Sequence, residues 1–125
     1  MNIPENLKFT REHEWIRVEG DTAYVGITEF ASHELGDIVF VEVETTSERI
    51  NIKESFGSIE AVKTVSEMFM PVTGVVLEFN QELEGAPELI NQDSYGAGWI
   101  IKISIENPEE LDTLLTPEEY AELIG

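Results

Sequence analysis

Lys63 stands at the centre of the stretch Phe56–Gly74, F-G-S-I-E-A-V-K-T-V-S-E-M-F-M-P-V-T-G, in a chain of 125 residues. It is one of four lysines against 26 acidic residues, with Ala61, Val62 and Val65 around it and carboxylates at Glu60 and Glu67. A free lysine amine, with a pKa of about 10, is protonated at neutral pH and is a poor nucleophile. Unless something buries it, Lys63 reads as a handle to which another enzyme attaches a group. The plainer alternative is a solvated surface lysine in an ion pair.

The other residues able to do chemistry form no catalytic constellation. His33-Glu34-Leu35-Gly36-Asp37 begins like a zinc-protease motif but lacks the second histidine four residues on. Glu12-His13-Glu14 holds three metal-ligand types, yet strand alternation would split them between two faces. Gly96-Ala97-Gly98 leads into a strand pattern instead of opening a helix, which excludes a dinucleotide loop. There is no cysteine, hence no disulfide, thiol nucleophile or thiolate zinc site. No catalytic or metal-ligating residue is assigned, and the chain reads as a substrate for enzymes, not as an enzyme.

The elements that must present Lys63 are mostly strands. Periodicity leaves its own stretch open: Ile59, Val62, Val65 and Phe69 recur near helical spacing, and Lys63–Glu67 is an i,i+4 pair. Gly57 and Pro71-Val72-Thr73-Gly74 favour strand–turn–strand. Upstream, Phe9–Thr28 predicts a hairpin turning at Gly20-Asp21, and Thr28 predicts the cap of a helix over Glu29–Leu35 closed by Gly36. In that helix Phe30 and Leu35 face inward, His33 and Glu34 outward. Asp37–Val43 and Ile50–Ile52 predict strands, with a polar loop at Glu44–Arg49 between them. Beyond Gly74, Val75, Leu77 and Phe79 line one strand face, Asn80–Gly98 predicts loops with at most one helical turn, and Trp99–Ile105 alternates with period two. Asn107-Pro108-Glu109-Glu110 and Thr116-Pro117-Glu118-Glu119 each combine a cap, proline at the first helical position and glutamate at the third, predicting two short helices. A faint echo between Gly36–Glu42 and Thr73–Phe79 fits two similar β units facing each other with Lys63 at one end.

Size and charge set the remaining bounds. A chain of 125 residues supports one domain over 1–125, with a core sandwich at 9–105 and C-terminal helices at 107–124. A net charge of −19 and a pI near 4.1 argue against nucleic acid and anionic membranes and for basic faces on partners. They also favour a monomer. No apolar run approaches the roughly 18 residues of a membrane span. The N-terminus Met1–Glu5 has neither signal nor transit character, which points to the cytoplasm, or to the mitochondrial matrix if a transit peptide has been removed.

Several blocks together resemble the H-protein family of the glycine cleavage system, nearly end to end and in order. They are Glu12–Trp15, Val25–Thr28, Leu35–Glu42, Phe56–Lys63, Pro71–Gly74, Asn80, Pro87–Asn91 and Tyr95–Lys102. The family's fold is a mostly β lipoyl/biotinyl-type sandwich. The resemblance implies that Lys63, at a hairpin tip, carries lipoic acid through an amide. It implies a non-catalytic carrier that takes the aminomethyl group of glycine from a pyridoxal-phosphate glycine decarboxylase (P protein) to a tetrahydrofolate-dependent aminomethyltransferase (T protein). Dihydrolipoamide dehydrogenase (L protein) then reoxidises it, and a lipoylating enzyme attaches the arm.

The loaded arm carries a cationic amine that water would release, so it needs shelter. The expected shelter is the surface of Glu12–Trp15 and the turn near Glu67, with Glu14 pairing the amine; the plain alternative makes Glu14 a solvated strand residue. The chain departs from relatives at Glu12, at the loop Glu44–Arg49 and at Glu54 after Lys53. Biotin carriers share the hairpin lysine but place methionine beside it, where this chain has Val62 and Thr64. An H-like lipoyl donor acting outside glycine cleavage is the alternative.

Overall fold

Apolar alternation organises the first third of the chain into β-structure. A computed structural model describes residues 1–125. Its first strands are β1 (Lys8–Phe9), β2 (Glu14–Glu19) and β3 (Thr22–Ile27). β2 and β3 form the expected hairpin, and Gly20 takes φ 66° where the two-residue turn needs a left-handed residue. The hairpin begins at Glu14, not Phe9. The chain reverses after β1, with His13 at φ 72°, so that β1 pairs with β2 on its other side.

Helix α1 (Glu29–Leu35) has the predicted ends. The Thr28 hydroxyl accepts from the Ala31 N–H, and Gly36, at φ 80°, donates its N–H to the Ser32 carbonyl. Next, β4 (Ile38–Glu42) is shorter than expected and carries a register shift between Ile38 and Phe40. That shift leaves both Val39 and Phe40 exposed, so only Ile38 and Val41 reach the core. β5 is limited to Arg49–Ile50; the expected continuation to Ile52 fails because the chain turns at Lys53, φ 71°.

The ambiguous stretch is a hairpin, β6 (Ser55–Ala61) and β7 (Val65–Phe69). The helical spacing loses to pairing on both sides of β6, with Ile59 opposite Val41 and Ser66. In β8 (Gly74–Phe79) the expected face is overturned. Val76 is fully buried and Leu77 is exposed, and the register shift after Val76 brings Phe79 back towards the core. Two single helical turns, α2 (Glu82–Gly85) and α3 (Leu89–Gln92), replace the one expected. β9 (Ile101–Ser104) keeps its alternation.

The two tail signals behave differently. Thr116 builds a full capping box with Glu119 on helix α4 (Pro117–Ile124). The first signal gives a 3₁₀ turn, Pro108–Thr113, without a side-chain cap from Asn107. Its Glu110 instead accepts from the Thr73 N–H at 2.7 Å and the Thr73 hydroxyl at 3.0 Å.

All pairings are antiparallel and make two sheets. One runs β1-β2-β3-β9-β8-β5 and the other β4-β6-β7. The main core draws on both, including Ile16, Val25, Val41, Phe56, Ile59 and Ile103. A satellite cluster of Leu7, Phe9, Trp15, Leu115 and Tyr120 fastens α4 to β1 and β2. The faint repeat falls with one member in each sheet, β4 and β8, and each carries a register shift.

Candidate functional site

Lys63 occupies the turn between β6 and β7. Ala61 N–H donates to the Thr64 carbonyl at 2.8 Å, closing the tip, and Val62 N–H donates to the Asp37 carbonyl at 3.0 Å, tying it to the start of β4. The Lys63 side chain is exposed and makes no ion pair. It lies over Gly36, where an added Cβ would come within 3.6 Å of its Cε. Beneath, Asn91 braces this junction: it accepts from Ile38 N–H and donates to the Ser32 hydroxyl and the Gly36 carbonyl. An exposed, unpaired side chain is thus mounted on a backbone held by three neighbouring segments.

Helix α1, which ends at the Gly36 beneath Lys63, lines a cavity of about 330 Å³. Its wall includes Glu12, His13, Glu14, Phe30, Leu35 and Glu67. Glu14 and Glu67, expected together at the shelter, both line this cavity. Phe30 and Leu35 line it from α1, which gives their partial burial a purpose. Glu34, expected to point away into solvent, is exposed but stands at the same cavity wall.

The solvated-residue reading of Glu14 fails, since Glu14 is only 2 % exposed. Thr10 donates its hydroxyl to one carboxylate oxygen at 2.5 Å, and Phe69 N–H donates to the other at 3.2 Å. Burial nevertheless dominates and pushes the Glu14 pKa up to about 7, against the lowering by those two hydrogen bonds. A buried carboxyl beside a cavity, divided between its two protonation states near neutrality, is suited to a cationic guest. A positive charge beside it would restore the carboxylate. Glu67 is exposed on β7 and forms the outer lip.

Behind His13 in the cavity wall stands a contact that the sequence did not disclose. Tyr120 on α4 is fully buried and stacks on Phe9 with ring centroids 4.6 Å apart. Its hydroxyl lies 2.7 Å from the Thr28 hydroxyl and 2.9 Å from His13 Nδ1. Burial pushes the Tyr120 pKa up to about 12, so the phenol stays protonated. Burial also lowers the His13 pKa, against the raising effect of Glu12 and Glu34. This chain of groups ties the C-terminal helix to the cap of α1 and to the cavity. The spacing of Tyr120, Leu123 and Ile124 on α4 predicts packing on the sandwich, which Tyr120 does, but not the contacts of its hydroxyl with Thr28 and His13. No group of three His, Cys, Asp or Glu side chains is spaced to hold a metal ion.

The glycine cleavage H-protein family model matches residues 7–125. The chain belongs to the glycine cleavage H-protein family. A glycine cleavage system H protein of Staphylococcus carnosus is 52 % identical over 125 residues, covering 100 % of this chain and 99 % of the relative. One from Bacteroides fragilis is 54 % identical with the same coverage. The crystal structure of a glycine cleavage system H protein from Mycobacterium marinum superposes with a TM-score of 0.86 at 36 % identity. That match covers 98 % of this chain and 99 % of the other. As an H-family member the chain is a lipoyl carrier of the glycine cleavage system, and its two sheets are the lipoyl-domain sandwich.

Proposed function

We propose that Lys63 is the residue that carries the lipoyl group and that the Glu14 cavity shelters its cargo. The observation that carries this reading is one exposed, unpaired lysine at a braced hairpin tip, beside a cavity that ends on a buried carboxyl. A lipoyl group on Lys63 supplies a disulfide that accepts two electrons together with the aminomethyl fragment of glycine. Everything else falls to the chain's own side chains. Lys63 gives up its charge to the amide and provides reach. Phe30 and Leu35 offer apolar wall, and Glu14 pairs with a cationic amine, releasing its proton as the amine arrives. Glu67 stands at the outer lip, where a second carboxylate draws a cation inward. Keeping water from the carbon between nitrogen and sulfur preserves the cargo.

The chain acts as one carrier unit over 1–125, without a catalytic residue of its own. Its partners are the pyridoxal-phosphate glycine decarboxylase, the tetrahydrofolate-dependent aminomethyltransferase and dihydrolipoamide dehydrogenase, preceded by a lipoylating enzyme. One tethered group visiting several active sites gains from high effective concentration, which suits a flexible arm on a rigid base. The bacterial relatives support a cytoplasmic setting.

Intact-mass spectrometry after incubation with a lipoate-attaching ligase, lipoate and ATP tests the assignment. The wild-type chain gains the mass of one lipoyl amide, and Lys63→Arg gains none. Equal gain by Lys63→Arg would place the attachment elsewhere.

A further inference from the structure

The outward face of the small sheet has the character of a contact surface. Strand register sets Phe40, Glu60 and Val65 in one row across β4, β6 and β7. The next row is Glu42, Ser58 and Glu67. Phe40 is 53 % exposed, Val65 63 %, and Val62, next to Lys63, 72 %. The register shift in β4 adds Val39 to the same exposed group. The other large exposed apolar side chains, such as Val18 and Leu77, stand apart on separate strands. Scattered exposure of that kind is ordinary, whereas a contiguous group marks an interaction site.

We infer that this face, Phe40 and Val65 with Val39 and Val62, is the docking surface for the enzyme that acylates Lys63. The inference rests on Lys63 being the attachment residue. In that step the deprotonated amine attacks the carbonyl of adenylate-activated lipoate. The amide C–N bond forms as the carbonyl C–O bond to phosphate breaks; AMP leaves and the amine proton passes to solvent. Lysine has only a four-carbon stem. An active site that grips its nitrogen must therefore close over the residues on either side of it. Enzymes acting at the far end of a long arm need no such closeness, so the surface is matched to the attachment step. The partner's chemistry follows from the two rows: an apolar floor for Phe40 and Val65, ringed by basic side chains for Glu42, Glu60 and Glu67. No lysine or arginine stands in either row, and the chain's charge of −19 steers the same basic face from a distance.

Initial rates of mass gain at Lys63, with a lipoate-attaching ligase, lipoate and ATP, test the surface. Phe40→Ser/Val65→Ser is compared with Val18→Ser/Leu77→Ser, which removes two other exposed apolar groups, 40 % and 41 % exposed, on separate strands. The face variant raises KM for the chain by about tenfold or more with kcat little changed, as for loss of docking contacts. The control pair leaves both constants unaltered. Val62→Ser, which lies outside the strand ladders, shifts KM in the same direction and guards against misfolding as the cause. Equal kcat/KM for the face variant and the control overturns the docking surface while leaving Lys63 in its role. No mass gain by wild type, where another lipoyl domain is acylated, overturns the attachment reading and the surface with it.

Discussion

At the scale of single residues, Glu14 carries the most unusual energetics in the protein. Its folded pKa of about 7 lies above the ordinary 4.5, so the folded state prefers the protonated form. Its favourable contribution is fully present below about pH 4.5 and is lost as pH rises through about 7. The shift corresponds to about 3 kcal/mol. Glu14→Gln keeps the shape and cannot ionise. Urea unfolding at pH 5 and pH 8 should therefore show the variant gaining on wild type at the higher pH. A pH-independent difference would contradict the assigned burial. In the proposed role of Glu14 the same charge governs the cargo, since only the ionised carboxylate pairs with an amine. The amine lowers the Glu14 pKa below its unloaded value of about 7, so loss of the aminomethyl group to water from the loaded wild type should slow as pH rises toward 7, and the Gln variant should lose it faster at neutral pH. Glu14 was legible in the sequence as a residue, through its place in the Glu12–Trp15 block. Its burial was not, because alternation cannot anticipate the left-handed bend at His13 that turns the chain into β2.

The elements show why some sequence signals held and others failed. Local chemistry held: Thr28 and Thr116 cap their helices, Gly36 ends α1 and Gly20 turns the first hairpin, each decided within a few residues. The face assignment failed in β8, where Val76 is buried and Leu77 exposed, and β4 departs from plain alternation at Val39–Phe40, where its register with β6 shifts. Such shifts depend on partners far along the chain and leave no mark in local spacing. The tail makes the same contrast. Asn107 offers a cap, but Glu110 is drawn to Thr73 and the segment tightens into a 3₁₀ turn. Helix α4 keeps its box and delivers Tyr120 to Thr28 and His13. Thr116→Ala removes the hydroxyl that accepts the Glu119 N–H, and should cost about 1 kcal/mol in thermal or urea unfolding. It should also loosen the phenol–imidazole contact, visible as a change in the His13 titration by NMR. An unchanged His13 titration with lowered stability would separate α4 from the cavity wall.

Across the whole molecule, two sheets of unequal size divide the work. The six-stranded sheet, with α4 and the satellite cluster, supplies most of the core, while the three-stranded sheet carries the tip. Lys63, α1 and the cavity meet where they join, so a long side chain can turn either outward to a partner or back along α1. The strongly negative charge keeps copies apart and favours brief, steered encounters, as a shuttle between enzymes needs. The tip lysine and the sandwich were legible from ordered family blocks; of the cavity only the Glu12–Trp15 and Glu67 sides were, because its wall is gathered from five separate elements, β2, β3, α1, β6 and β7. The most direct test of the carrier assignment is glycine-dependent release of carbon dioxide by the glycine decarboxylase, aminomethyltransferase and dihydrolipoamide dehydrogenase, reconstituted with this chain as the sole carrier. Lipoylated wild type should sustain many turnovers, and Lys63→Arg treated identically should sustain none above the carrier-free background. Equal turnover by the two would contradict the account.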